Sequence, residues 1–328
     1  MNIVFMGTAE LSCASLEALA GQPGLSIAGV VTQPDKPKGR ELKLQPPPVK
    51  LLAEKLKLPV RQPARARDEG FIAELRGWTP DLIVVIAYGH LLPPAILELP
   101  RQGCLNLHAS LLPAYRGAAP IQWAIANGET ETGVTIMKMD AGLDTGPILA
   151  QCRAAILPED DSASLHDRLA RLGAALLVET IPGYLEGRIQ PRPQSAAGVS
   201  LAPKIKREDG RIEWAAPART IWNRLRAFTP WPGAFTFSRS TGAWPAKDAH
   251  GGAPPGAHLL KIWRAEVLEQ SAGAPGEILS ADRNGIVVGC GKGALRVLEL
   301  QREGGRRINA AGFLSGHPLR AGEILGAL

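Results

Sequence analysis

The stretch MNIVFMGTAELSCASLEALAGQPGLSIAGVV, residues 1–31, places a short helical pattern between two β-type runs. Residues 3–6 and 26–31 are apolar and rich in β-branched side chains, whereas the apolar side chains of 15–20 are spaced as on one face of a helix. Strand, helix and strand in this order form the repeating unit of a parallel sheet covered by helices. The stretch therefore predicts an α/β domain that starts almost at residue 1.

The same alternation continues through the first half of the chain. It predicts strands at 82–87 and 104–107, helices at 49–56, 71–78 and 121–127, a hairpin from 133–139 and 147–154, and a longer helix at 164–186. We therefore expect one α/β domain over residues 1–189.

The second half of the chain differs from the first in composition and in the pattern of its apolar residues. Residues 190–203, QPRPQSAAGVSLAP, contain few large apolar side chains and much Pro, Ser and Ala, which is typical of a linker. After one helical pattern at 217–227, β-type runs follow at 234–237, 260–267, 285–289 and 294–300, separated by Gly and Pro. We predict a linker at 190–205 and a small β-barrel domain at 206–328. Five of the seven tryptophans lie in this domain, where most are expected to be core residues.

Charge is distributed unevenly between the two halves. Residues 1–188 carry 18 basic and 20 acidic side chains (net −2), and residues 189–328 carry 19 and 11 (net +8). Within the first half, residues 36–67 hold ten basic side chains against Glu41 and Glu54. Two positive regions could contact one polyanion such as a nucleic acid, although basic surface also serves solubility alone.

The cysteine spacing and the hydropathy pattern indicate the cellular compartment of the protein. Cys13, Cys104, Cys152 and Cys290 are far apart and form no CxxC pair, so neither a disulfide framework nor a zinc site is indicated. No apolar run is long enough to cross a bilayer, and the amino terminus lacks the pattern of a secretory signal. We expect a soluble protein of a reducing compartment, the cytoplasm.

The densest chemical signal is CLNLHASLLPAYRGAAP, residues 104–120. On a strand, Asn106 and His108 project to the same face, and they lie at its carboxyl end, where a parallel sheet presents its functional groups. An amide can hydrogen-bond a carbonyl oxygen and an imidazole can move protons, although such a pair is more often structural. Ser110 lacks the G-x-S-x-G turn of a hydrolase, and the single Gly7 after the first strand disfavours a dinucleotide cofactor.

A second signal is DAGLDTGP, residues 140–147, which holds two carboxylates in a glycine-bearing loop. Carboxylates in turns usually accept local backbone hydrogen bonds, but one placed near His108 would stabilise an imidazolium ion. The sequence alone does not tell whether the two loops meet.

Residues 106–149 resemble the folate-dependent formyltransferases, whose hallmark is N-x-H, then SLLPxYRG, then a downstream Asp loop. The chain is most similar to those members that act on methionyl initiator tRNA. Further matches are residues 30–63, 82–97, KIKREDGRIEW at 204–214, FTPWPGAF at 228–235, PGEIL at 275–279 and 293–316. The resemblance thus covers nearly the whole chain.

The resemblance implies a Rossmann-like, mostly parallel sheet domain followed by an OB-fold-like barrel that binds tRNA. It implies 10-formyltetrahydrofolate as formyl donor, methionyl initiator tRNA as acceptor, no metal, and a cytoplasmic monomer. The residues that match the catalytic trio are Asn106, His108 and Asp144. Those that match folate-binding positions are Ile86, Ala87, Tyr88, Leu92, Ser110, Leu111, Leu112, Pro113, Asp140 and Gly142. Those that match tRNA-binding positions are Lys36, Lys38, Arg40, Lys43, Lys204, Lys206 and Arg207.

One departure and two alternatives bear on this prediction. Relatives commonly have GTPEFA after the first strand, where this chain has GTAELS at residues 7–12, which affects only recognition of the methionyl end. The alternatives are a formyltransferase that acts on an amino sugar nucleotide or on glycinamide ribonucleotide, and a non-enzymatic RNA-binding protein. The basic second domain and the KPKGRELK loop argue against the former, and the intact Asn106, His108 and Asp144 against the latter.

Overall fold

The structure is a computed structural model that describes residues 1–38, 43–239, 257–271 and 273–326. The chain divides into two compact units. Unit 1 comprises Met1–Ile121, Thr130–Leu157 and Ser164–Lys204, and unit 2 comprises Gln122–Glu129, Pro158–Ala163 and Ile205–Leu328. Two short segments of the first half therefore belong to the second unit.

Unit 1 is built around a seven-stranded sheet. Its strands are β1 (Asn2–Gly7), β2 (Ser26–Val31), β3 (Lys36–Lys38), β4 (Lys43–Gln45), β5 (Val60–Arg61), β6 (Leu82–Ile86), β7 (Cys104–His108), β8 (Arg116–Gly117), β9 (Glu131–Lys138), β10 (Ile148–Ala155) and β11 (Leu201–Ala202). The large sheet has the order β10-β9-β7-β6-β1-β2-β5, and β3 pairs with β4 and β8 with β11 in two small ladders.

The strand directions locate the functional edge of this sheet. Strands β5, β2, β1, β6 and β7 are parallel, while β9 is antiparallel to β7 and β10 to β9. The chain runs from β1 outward to β2 on one side and later to β6 on the other, so the winding reverses beside β1. Ligands of such sheets bind at the carboxyl ends of the strands near this reversal. Strands β1, β6 and β7 therefore present their carboxyl ends to the expected ligand crevice.

The helices of the chain are α1 (Cys13–Ala20), α2 (Pro48–Lys55), α3 (Glu69–Gly77), α4 (Pro94–Leu97), α5 (Pro120–Ala126), α6 (Ser162–Leu185), α7 (Ala218–Ala227) and α8 (Ala310–Gly316). Helix α3 illustrates how the sequence determines where a helix begins and which face it buries. The Asp68 side chain caps its first turn by accepting a hydrogen bond from the Phe71 backbone N–H, and Phe71, Ile72 and Leu75 form its buried face. Covered by helices, β6 is buried at all five positions, which explains its uninterrupted apolar sequence LIVVI.

Unit 2 contains an antiparallel sheet. Its strands are β12 (Ala234–Ser238), β13 (His258–Leu268), β14 (Ile278–Asp282), β15 (Gly285–Gly289), β16 (Ala294–Arg302) and β17 (Ile308–Asn309). The order is β12-β13-β16-β15-β14, with β17 beside β16, and within the described ranges no pairing joins β12 to β14. Its core includes Trp214, Ile221 of α7, Leu260 of β13 and Phe313 of α8.

The structure confirms the predicted fold class, a mostly parallel α/β sheet followed by an antiparallel β unit. Every strand and helix predicted from the sequence has a counterpart whose ends differ by at most two residues. The elements that were not predicted are β3, β4, β5, β8, β11, β14, β17, α4 and α8. The exact domain boundaries at 189 and 205 stay a prediction.

The segment predicted to be a linker lies hydrogen-bonded along unit 1. Arg192 pairs with Ile148, Ser200 accepts a hydrogen bond at its backbone oxygen from the Arg116 N–H, and β11 pairs with β8. Most of its residues are exposed, and backbone hydrogen bonds attach it to the strands of unit 1.

Candidate active site

Asn106 and His108 lie on one face at the carboxyl end of β7. Strand β7 is held between β6 and β9, where Asn106 is opposite Val85 and Met137. Both side chains are nearly buried, with 9% and 6% of their surface exposed. Among the residues that the structure describes, none hydrogen-bonds the Asn106 amide. Its N and O atoms are not among the described side-chain atoms that are both buried and unpartnered, so they reach solvent and are open to a bound ligand.

The His108 ring is fixed by a backbone carbonyl. Its Nε2 lies 2.8 Å from the Tyr115 oxygen, and because a carbonyl only accepts hydrogen bonds, Nε2 must carry the proton. Its Nδ1 lies 3.7 Å from Asp144 Oδ2, longer than a hydrogen bond. In the neutral ring, Nδ1 is therefore the proton-accepting atom, and it faces a carboxylate.

Asp144 joins the two loops that the sequence analysis left separate. Its Oδ2 accepts a hydrogen bond of 2.8 Å from the Gly117 N–H, and its backbone has φ of 51°, a region that Asp tolerates better than most residues. Gly117 has φ of +123°, and a Cβ there would lie 2.6 Å from the Ala202 oxygen. The carboxylate is thus anchored on a position that only glycine can occupy without strain.

Gln194 supports this arrangement and was not predicted as a site residue. Its Nε2 donates to the backbone oxygens of Asp144 and Gly146, both at 2.8 Å, and its Oε1 accepts from Arg116 Nη2 at 2.6 Å. One amide therefore ties the 140–147 loop to the loop after β7. The only sequence signal was Arg116 in the YRG motif, which gives no indication of its partner 78 residues away.

The loop after β7 is held by side chains of the neighbouring strands. Thr135 Oγ1 donates to the Ser110 oxygen at 2.6 Å and accepts from the Leu112 N–H at 3.1 Å. Leu112 packs with Met137 and Ile148. The Ser110 hydroxyl donates to the Ala114 oxygen at 2.6 Å and is fully buried, so it is not placed as a nucleophile. Leu111 contacts the Gly133 position, and the Leu112–Pro113 peptide is cis.

The loop after β6 carries four predicted folate residues. Ile86 and Tyr88 are buried, Leu92 is 9% exposed, and Ala87 is exposed with φ of 45°. Burial raises the pKa of the Tyr88 hydroxyl to about 12, and within the described ranges this hydroxyl has no hydrogen-bond partner. A cavity of about 600 Å³ opens beside the same loop, lined by residues 64–67 and 89–93.

Two side chains of the GTAELS segment hold this loop, and one of them, Ser12, departs from the GTPEFA pattern. Thr8 Oγ1 donates to the Tyr88 oxygen at 2.9 Å, and Ser12 Oγ donates to the Ile86 oxygen at 2.6 Å. Ser12 is fully buried, and a Cβ on Gly7 would lie 2.8 Å from its Cβ. Ser12, where relatives commonly have Ala, therefore donates a hydrogen bond to the backbone at the start of the predicted folate loop.

Asp140 and Gly142 lie on the exposed side of the 140–147 loop. Asp140 Oδ1 accepts from the Gly142 N–H at 3.0 Å and from Thr145 Oγ1 at 2.7 Å. This carboxylate stabilises its own turn, as carboxylates in loops commonly do. Asp140 is not brought to His108, whereas Asp144 is.

Five of the seven residues predicted to bind tRNA are described as exposed cations. Lys36, Lys43, Lys204, Lys206 and Arg207 are exposed, and Lys36 also donates to Gln33 Oε1. Lys38 lies on β3, and Arg40 lies outside the described residues. Lys204 ends unit 1, while Lys206 and Arg207 belong to unit 2.

Two general findings concern ligands and membranes. In the described ranges, no group of three or more His, Cys, Asp and Glu side chains is arranged to hold a metal ion. In the same ranges, no helix has the length and apolar character that a bilayer crossing requires.

Comparison with protein families gives two matches. The model described as Formyl transferase matches residues 1–181, and that described as Formyl transferase, C-terminal domain, matches residues 204–318.

Curated proteins give full-length matches. The methionyl-tRNA formyltransferase of Trichlorobacter lovleyi is 50% identical over 324 residues, covering 99% of this chain and 96% of that protein. The methionyl-tRNA formyltransferase of Myxococcus xanthus is 50% identical over 321 residues, covering 98% and 96%.

Among solved structures, an N-formyltransferase from Helicobacter canadensis in complex with folinic acid and dTDP-3-aminofucose aligns with a TM-score of 0.63 at 17% identity, covering 90% of this chain and 98% of that one. At this identity the likeness concerns the fold alone.

Proposed function

The chain belongs to the formyl transferase family, and we propose that it transfers the formyl group of 10-formyltetrahydrofolate to the free amino group of methionyl initiator tRNA. The relatives that are half identical over both units carry the name of this activity. The chemical observation that carries the proposal is the Asn106 amide. It lies on the same face of β7 as His108, which faces Asp144, and no described residue hydrogen-bonds it.

The residues of the crevice fit a formyl-bearing folate. An amide that no described residue hydrogen-bonds can donate to a formyl oxygen, and Ala87 and Gly142 are exposed to an incoming ligand. When bound, 10-formyltetrahydrofolate supplies an activated one-carbon group at the formyl oxidation level. The predicted folate residues after β6 and β7 would hold it, with Thr8 and Ser12 supporting the first of these loops from below.

The roles of the three central side chains follow from the reaction. When the amine nitrogen bonds to the formyl carbon, negative charge would develop on the formyl oxygen, and this charge would be lost as the carbonyl re-forms and the bond from that carbon to N10 breaks. The Asn106 NH₂ group would donate to that oxygen, a contribution of about 10²- to 10³-fold in rate. His108 Nε2–H is engaged by the Tyr115 oxygen, so only Nδ1 remains to take the amine proton. The proton then passes to N10, and no covalent enzyme intermediate is needed.

Asp144 would act through His108. Its carboxylate, 15% exposed and 3.7 Å from Nδ1, stabilises the ring while the ring carries the extra proton. The Gly117 N–H and Gln194 keep this carboxylate in place.

The basic residues of both units would contact the RNA backbone. Lys36, Lys38, Arg40 and Lys43 come from unit 1 and its loop, and Lys206 and Arg207 from unit 2. Contacts of this kind release counterions, so affinity for tRNA should fall as salt rises. The proposal includes two expectations from the sequence, that the enzyme is cytoplasmic and that it is a monomer.

Incubation with radiolabelled formyl folate and charged initiator tRNA tests the proposal. Label is expected in the tRNA, and the hydrolysed product should be formylmethionine. Parallel incubations with an amino sugar nucleotide and with glycinamide ribonucleotide test the alternative enzymes. Label in either of these and none in the tRNA would contradict the proposal, and label in no acceptor would favour an RNA-binding protein without activity.

A further inference from the structure

The sheet of unit 2 carries aromatic rings and cations on the face opposite its core. Leu260 and Ile262 of β13 point into the core, so Lys261 between them points to the other face. Lys261, Trp263 and Arg307 meet there. Arg207, whose charge acts on Lys261, and Trp231, which precedes the Pro232 oxygen bound by Lys261, come from neighbouring segments, and we call these five residues the indole–cation cluster.

The Trp263 ring is fixed within this cluster. Lys261 Nζ lies 5.8 Å from its ring centre and Arg307 Cζ 5.3 Å, both within the range of cation–π attraction. Its Nε1–H donates to Gln301 Oε1 at 2.9 Å, and Gln301 lies directly opposite Lys261 on β16. A lysine and an arginine side chain thus both lie within cation–π distance of this ring.

Lys261 and Arg207 are positive groups without a described acidic partner. Lys261 Nζ donates to the Pro232 oxygen at 3.2 Å, and neither residue forms an ion pair with any residue that the structure describes. Burial, followed by the charge of Arg207, lowers the pKa of the Lys261 ammonium.

Packing of the backbone explains why these two charges are close. The turn Arg207–Gly210 packs on the 232–233 turn, where a Cβ on Gly210 would lie 2.3 Å from the Gly233 oxygen. Two neighbouring cations that lack a carboxylate repel each other and attract an anion. By contrast, Arg307 is neutralised by Glu299 at 2.6 Å.

Trp231 is an exposed aromatic residue next to the backbone that Lys261 contacts. It precedes Pro232, whose oxygen holds Lys261, and 58% of its surface is exposed. Core packing, which the sequence analysis expected for most tryptophans here, accounts for Trp214 at 6% exposure but not for Trp231. Trp231 also lies in the FTPWPGAF motif, none of whose residues is assigned to the candidate active site.

We propose that the indole–cation cluster binds an unpaired nucleotide of the RNA substrate, with a phosphate between Lys261 and Arg207 and a base stacked on Trp231. This inference rests on the proposed function, since it specifies how the second unit contacts tRNA. Aromatic faces beside cations are the usual platform for single-stranded nucleic acid, because every base has a face that can stack. Bases inside a duplex are already stacked and cannot use an indole in this way.

Three variants of the full chain test the inference, and thermal unfolding checks that each folds. The probes are a single-stranded RNA of about eight nucleotides and a duplex of the same length. W231L should weaken binding of the single strand about tenfold and spare the duplex, whereas W231F, which keeps an aromatic face, should bind nearly as the parent does. K261Q should weaken both and lower the salt slope by about one.

Two substitutions at the far edge of the same sheet serve as controls. R283Q removes an exposed charge from the turn between β14 and β15, and I324A removes an exposed apolar side chain that is 51% exposed beside β14. Both should bind each RNA as the parent does.

Unchanged binding in W231L, equal loss for single strand and duplex, or failure of W231F to restore binding would overturn the inference. The probes need neither folate nor charged tRNA, so a chain that fails to formylate leaves this result standing, and the two failures are distinguishable.

Discussion

Replacing Asp144 by Asn would test whether the carboxylate works through the imidazolium ion of His108. The change keeps the size of the side chain and an oxygen that can accept the Gly117 hydrogen bond, but it removes the negative charge 3.7 Å from Nδ1. At this distance two unit charges interact by up to about 4 kcal/mol at an effective dielectric constant of about 20. If the whole interaction is made in the transition state, kcat falls by up to about a thousandfold.

The assay is formylation of charged initiator tRNA at saturating folate, followed in a single turnover. D144N should lower kcat while the KM for folate and the midpoint of thermal unfolding change little. The exposed pair His166 and Asp167, 3.0 Å apart, offers a matched control, and D167N should leave kcat unchanged. A D144N enzyme with parental kcat would refute the role of the charge. An equal loss in D167N would show that the effect is not local.

Three further outcomes are expected. Asn106→Ala should lower kcat by about 10²- to 10³-fold and hardly affect thermal unfolding, because its amide has no described protein partner; a large loss of stability in calorimetry would show instead that it is structural. Gln194→Ala removes two hydrogen bonds to the 140–147 loop and should cost about 1–3 kcal/mol of unfolding free energy together with a lower kcat, and denaturant titration showing neither effect would contradict the support assigned to it. Tyr88→Phe removes a buried hydroxyl without a described partner and should raise stability by about 1 kcal/mol at neutral pH. Since the folded pKa of Tyr88 is raised from 10.0 to about 12, the parent should lose stability as pH rises from 10 to 12, and the variant should show a flatter profile in thermal melts; identical profiles would count against that burial effect.

The main sheet could be predicted because its strands are long and locally patterned. Strand β6 is a run of five buried residues, and the hairpin of β9 and β10 flanks a turn with glycine and aspartate. The unpredicted strands β5, β8, β11 and β17 have two residues each, too few to establish a period. These short strands form because segments distant in the sequence supply their backbone hydrogen-bond partners, and local sequence patterns do not reveal such partners.

The central residues of the candidate site could be predicted from the sequence, but the hydrogen bonds that hold them could not. Motif positions pointed to Asn106, His108 and Asp144, which carry the chemistry of the proposal. The engagement of His108 Nε2 by the Tyr115 oxygen and the hydrogen bonds of Gln194 depend on loops that meet only in three dimensions. Polar, proline-rich composition predicted a linker at Gln194, whereas its amide side chain is a structural contact of the Asp144 loop.

The interleaving of the two units constrains how the chain can fold during synthesis. Residues 122–129, which include most of α5, belong to unit 2, where the Trp123 ring packs edge-on against Phe228 with centroids 6.1 Å apart. Trp123 leaves the ribosome about 100 residues before Phe228, so this ring contact can form only after the linker and α7 have been synthesised. During that interval the Trp123 ring lacks its Phe228 partner. A nascent chain arrested near residue 204 is consequently a candidate client for ribosome-associated chaperones.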